Sequence, residues 1–90
     1  LTLREIGPGL AEQLNLPRAT RGLAVTAVEP GAAGDDAGLR RGDVILSVNG
    51  QSVETLAAFE AAIAKARSSG LARVRVRRGN AVFLAVIKLE

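Results

Sequence analysis

Histidine and cysteine are both absent from the 90 residues, so no Ser-His-Asp triad, Cys-His pair, disulfide or histidine-bearing metal site can be assembled within this chain. A serine-lysine pair remains formally available. Its candidates, however, lie in a turn before a helix (Ser52) or in a glycine-terminated helix exit (Ser68, Ser69), where serines serve as caps and loop residues. Asp35, Asp36 and Asp43 match no calcium-loop spacing. Asp43 follows a glycine and precedes an apolar strand, so its carboxylate is expected to accept backbone N–H bonds from its own loop. Gly7-Pro8-Gly9 places proline where a phosphate loop needs an N–H donor, and no Lys-Ser or Lys-Thr follows it. A non-catalytic chain without cofactor or metal is the expectation.

Aromatic residues are nearly as scarce, with only Phe59 and Phe83 present and no Trp or Tyr, so the core must be aliphatic. The net charge is +3, from 12 basic and 9 acidic residues, and much of the excess sits at Arg73, Arg75, Arg77 and Arg78. Without stacking aromatics or a recognition motif this bias does not make a nucleic-acid binder. Arginine alternating with valine is instead the pattern of a sheet with one wet face. No apolar run approaches the roughly 20 residues a spanning helix needs, and the first residues lack a signal-peptide pattern; membrane insertion is not expected. Residues 1–90 are too few for two cores and read as one domain. Leu89-Glu90 matches a dipeptide often left by cloning before a purification tag, so Glu90 carries no functional weight.

What is present is a succession of short strands and helices. Leu1 to Ile6 alternates like a half-buried strand and Gly7-Pro8-Gly9 ends it. Leu10 to Leu16 has helical spacing up to Pro17. Leu23 to Val28 and Val44 to Val48 are apolar enough to be central strands, and Asn49-Gly50 is the strongest turn signal. Ala32 to Leu39 suits one helical turn with Gly38 at its exit. Leu56, Phe59, Ala62, Ile63 and Ala66 recur at spacings of three and four, which predicts a helix over 55–67, capped by Thr55 or Ser52. Arg73 to Arg77 and Ala81 to Leu89 form a closing hairpin around Gly79-Asn80.

The run from Gly22 to Gly31, Gly-Leu-Ala-Val-Thr-Ala-Val-Glu-Pro-Gly, is followed by Ala37-Gly38-Leu39-Arg40-Arg41-Gly42-Asp43-Val44-Ile45-Leu46-Ser47-Val48-Asn49-Gly50. In order and spacing this resembles the central signature of bacterial PDZ domains. The stretch from Leu10 to Pro17 is similar to an insert of the second PDZ domain in Do-like (HtrA-type) serine proteases. The family usually writes Pro-Gly-Ser-Pro-Ala where this chain has Pro30-Gly31-Ala32-Ala33-Gly34, a departure expected to alter loop stiffness alone. The family's carboxylate-binding loop, a hydrophobic-Gly-hydrophobic motif, would fall immediately before or around Leu1.

The resemblance implies an α+β fold, a PDZ-like small β-sandwich or partly open barrel of about five to six strands with one long and one or two short helices. It implies a periplasmic or cell-envelope serine endopeptidase as parent. PDZ domains add an extended peptide to a sheet edge beside a helix. Carried to this chain, the peptide site comprises Leu1, Thr2, Leu3 and Arg4 on the strand and Phe59, Ala62, Ile63 and Ala66 on the helix. Thr2 and Arg4 would make rim contacts, and the small Ala62 and Ala66 would leave room for a ligand. The implied partners are C-terminal or unfolded peptide segments, and neighbouring protease or PDZ domains if the domain serves as an assembly module. Core packing is the competing role for Phe59 and Ile63.

Overall fold

A computed structural model describes residues 1–89; Glu90, expected to carry no functional weight, lies outside the described residues. The apolar alternation and the turn residues divide the chain into β1 (Thr2–Glu5), α1 (Pro8–Gln13), β2 (Leu23–Ala27), α2 (Ala33–Asp36), β3 (Val44–Val48), β4 (Gln51–Ser52), α3 (Leu56–Ala66), β5 (Leu71–Arg78) and β6 (Ala81–Lys88). A 3-10 turn, Arg67–Ser69, links α3 to β5, and Gly70 closes it in the left-handed region. The strands form one open antiparallel sheet in the order β1-β2-β3-β5-β6, with β4 paired to β3. The expected α+β architecture is therefore present, as a sheet not closed into a barrel.

Each face of this sheet has its own core, because side chains of successive strand residues point to opposite faces. On the inner face, Leu23, Val25, Ile45, Val48, Val74, Val76, Ala85 and Ile87 pack with Leu39, Val53 and the α3 residues Ala62 and Ala66. On the outer face, Ile6, Ala11, Ala24 and Val44 form a smaller cluster under α1, joined by Leu10, Leu14, Leu16 and Leu46. The helix expected over 10–16 thus starts earlier, at Pro8. Proline at the first helical position gives up an N–H that has no intrahelical partner there, and its fixed φ suits the helix. Asn15 then turns into the left-handed region, ahead of Pro17.

α3 matches its expected span closely. The Thr55 hydroxyl accepts from the Ala58 N–H at 3.0 Å, settling the cap in favour of Thr55 over Ser52. Thr55→Ala should lower stability by about 1 kcal/mol. In a thermal melt this would appear as a Tm lowered by roughly 4–8 °C. An unchanged Tm would mean that tertiary contacts, not the cap, fix the start of α3.

Candidate functional site

β1 has a neighbour on one side only, β2, so its other edge is free. Its hydrogen-bonding parity can be followed from the Ile6 N–H, which donates to Gly22 O at 3.1 Å. In an antiparallel ladder alternate residues bond the same neighbour, so Arg4, opposite Ala24, also turns its backbone toward β2. Leu3 and Glu5 consequently present N–H and C=O to the free edge. α3 lies beside that edge, packed against β1, β3 and β5.

A carboxylate fixes the two elements at one end. Glu5 Oε2 accepts from the backbone N–H of Leu56 at 2.9 Å, placing a negative charge at the helix N-terminus, where the macrodipole favours it. At the other end, Leu1 lies over α2, and a Cβ on Gly34 would come within 2.9 Å of Leu1 Cγ. The glycine in place of the family's alanine does more than change loop stiffness: it makes room for the Leu1 side chain.

The sequence-derived site residues separate into three groups. Leu1, Leu3, Phe59 and Ile63 are half-buried and pack against the inner core. Thr2 and Arg4 are exposed on β1. Ala62 and Ala66 are buried in the inner core itself. They also border a small hollow with Val48, Asn49 and Gln51, whose lining includes no β1 residue. Their small size therefore brings α3 close to the sheet.

Two residues of this arrangement are missing from the sequence-derived set. Glu5 joins β1 to α3, and Leu56, 41% exposed, lies two turns before Ile63 on the same flank of the helix. The 56/63 spacing was the available signal for Leu56. Nothing local signals Glu5, because its acceptor role depends on a residue 51 positions away.

Asp43 holds the connection behind α2. Buried at 1% exposure, it accepts from the Arg40 N–H at 2.9 Å, as its loop position predicts. It also receives a fork from Arg78, with Nε to Oδ1 at 2.8 Å and Nη2 to Oδ2 at 2.7 Å. Arg78 Nη2 reaches Gly38 O at 2.9 Å as well, and the guanidinium lies 4.7 Å from the Phe83 ring centroid. The hydrogen bond to Asp43 holds the Arg78 pKa above its already high ordinary value. This group joins the β3 entry to the end of β5, and none of these hydrogen bonds is to a groove residue. Among the described residues no cluster of three or more His, Cys, Asp or Glu could hold a metal, and no helix is long and apolar enough to cross a membrane.

A family model described as a PDZ domain matches residues 24–78, from β2 to the end of β5. A probable periplasmic serine endoprotease, DegP-like, from Brucella suis biovar 1 (strain 1330) is 46% identical over 50 residues, 56% of this chain. The chain spans only 10% of that relative's length. Among solved structures, the HtrA3 PDZ domain bound to a phage-derived ligand (FGRWV) superposes with a TM-score of 0.85 at 28% identity, over 100% of this chain and 81% of that one. The HtrA-type protease AlgW with decapeptide gives a TM-score of 0.85 at 25% identity, over 98% of this chain and 27% of that one.

Proposed function

Because the chain belongs to the PDZ domain family, we propose that it binds the hydrophobic C-terminus or an unfolded segment of a polypeptide by strand addition to β1, as the second PDZ domain of a periplasmic HtrA-type serine endopeptidase. The observation that carries this reading is the free β1 edge, with Leu3 and Glu5 turned outward, lying beside α3. Backbone bonds from that edge would set the register of the ligand, and side-chain pockets would set its selectivity. Leu1, Leu3, Phe59 and Ile63 supply an apolar lining for the terminal side chain. Thr2 and Arg4 contact the rim, and the buried Ala62 and Ala66 set how deep the groove lies. The position of α1 on the outer face leaves the groove open and is consistent with the insert of a second PDZ domain. The periplasmic setting rests on the relative's name.

The test is an NMR titration of this domain. Peptides ending in a hydrophobic free carboxylate should shift the amides of Leu1 to Arg4 and Phe59 to Ala66. Amidated counterparts should bind at least about tenfold more weakly, the equivalent of 1.4 kcal/mol. Silence in both segments would overturn the reading.

A further inference from the structure

α1 covers the outer face of the sheet over β2 and β3, through Ala11 against Ile6, Ala24 and Val44. On β5 and β6 the same face is bare. Val82, Leu84 and Val86 are 48%, 60% and 44% exposed, and they follow one another at every second residue of β6. Opposite them on β5 stand Arg77, Arg75 and Arg73, paired rung by rung. An apolar row therefore runs beside a cationic row.

The arginines are not occupied within the chain. Among the described residues, Arg73 and Arg75 make no ion pair and no side-chain hydrogen bond, and Arg77 donates only to Gly79 O at 2.9 Å. Arginine stems can shield neighbouring apolar groups. Here they leave Leu84 more than half exposed. Next to Leu84 lies an open hollow of about 420 Å³ lined also by Leu46, Ser47, Arg73 and Arg75. A contiguous apolar strip of this kind, rimmed by charge, is the usual form of an interaction surface. Unpaired guanidiniums select for carboxylates along one side of the partner.

We propose that the outer face of β5–β6 docks an acidic amphipathic helix of another polypeptide. Alternate residues of a strand are about 6.6–6.8 Å apart. Residues four apart on a helix rise about 6 Å. A three-rung apolar stripe on a helix therefore meets Val82, Leu84 and Val86, while glutamates on its flank reach Arg77, Arg75 and Arg73. An extended segment turns only every second side chain to the face, so once apolar residues take those positions its remaining side chains, carboxylates included, point to solvent. The surface lies on the face opposite α3 and is independent of the β1 groove.

The probe is an acetylated, amidated helix-forming peptide of about 18 residues, long enough to hold some helix in isolation. It carries leucines at every third or fourth position and glutamates along one flank. It should shift the amides of residues 73–77 and 82–86 of this domain. Leu84→Ser should weaken binding at least tenfold with the remaining spectrum unchanged, since the side chain is exposed. The double variant Arg73→Glu and Arg75→Glu should transfer the preference to a counterpart peptide with lysines in place of glutamates. Because the probe has no free carboxylate, its outcome does not depend on the groove. The proposal is overturned if those amides stay silent, or if shifts fall on β1 and α3 instead. Equal binding of the lysine peptide, of leucine-free polyglutamate or of single-stranded DNA to the unaltered domain would also overturn it.

Discussion

Asp43→Ala is expected to produce the largest loss of stability of any single side-chain truncation outside the apolar core. The carboxylate is buried and accepts three hydrogen bonds, two of them from a guanidinium fork and one from the Arg40 backbone. Removing it deprives the loop N–H of its acceptor and frees Arg78 from the end of β5. At 1.5–3 kcal/mol for a hydrogen bond to a charged group, with partial rehydration of the half-exposed arginine, the loss at Asp43 should be about 3 kcal/mol. For a domain of this size that lowers Tm by more than about 10 °C. Denaturant melts of the wild type, Asp43→Ala and Asp43→Asn separate the contributions. Asparagine keeps one acceptor and should lose less than alanine. A loss under about 1 kcal/mol for alanine would show that the fork contributes little beyond surface ion pairs.

The pH dependence of the Arg78 contribution has a definite sign. The Arg78 pKa is raised, chiefly by its hydrogen bond to Asp43, so its contribution is fully present below the ordinary guanidinium range. It is lost only as pH rises through the raised value. Alkalinisation from neutral pH into the range of lysine titration should therefore leave the difference between wild type and Asp43→Ala unchanged on Arg78's account. The carboxylate is screened little by salt because it is buried, so the difference should also persist at high ionic strength.

The same pair marks where the sequence ceased to be informative. The alternation of Arg73 to Arg77 correctly implies a strand with one exposed and one buried face, and Arg73 and Arg75 are exposed accordingly. Arg78, counted with them by composition, has the parity of the buried Val74 and Val76, and it turns toward Asp43. That parity was readable, but its partner 35 residues away was not. Local signals were reliable where the responsible physics is local. Thr55 caps the helix it precedes, and Asn49 and Gly50 adopt the positive φ values that an Asn-Gly hairpin requires. Long-range placement was not legible. Gly34 resembles a loop residue in sequence and becomes the floor under Leu1, and Ala62 and Ala66 resemble groove residues and become core spacers. Helical periodicity defines the apolar face of α3, but it does not reveal the bond from the Leu56 N–H to the Glu5 carboxylate that ties the first turn to β1.

Replacing Leu3 by proline should weaken peptide binding roughly 5- to 150-fold more than Leu3→Ala does. Both substitutions remove the half-buried leucine side chain, so their difference reports the lost backbone N–H together with the proline ring that replaces it. The Leu3 N–H points to the free edge, and its loss leaves the β1–β2 ladder intact, which is why proline is admissible at this position of an edge strand. On strand addition, a ligand carbonyl would then lie against a proline ring with no donor. An unsatisfied buried acceptor costs about 1–3 kcal/mol, or roughly 5- to 150-fold in affinity. Arg4→Pro supplies the opposite case, because the Arg4 N–H faces β2 and its removal should destabilise the ladder instead. Titration calorimetry against one hydrophobic-ended peptide, with a thermal melt of each variant, reads both effects. If Leu3→Pro and Leu3→Ala bind equally, the ligand does not extend the sheet at β1, and binding would have to rest on side-chain contacts with Phe59 and Ile63 alone.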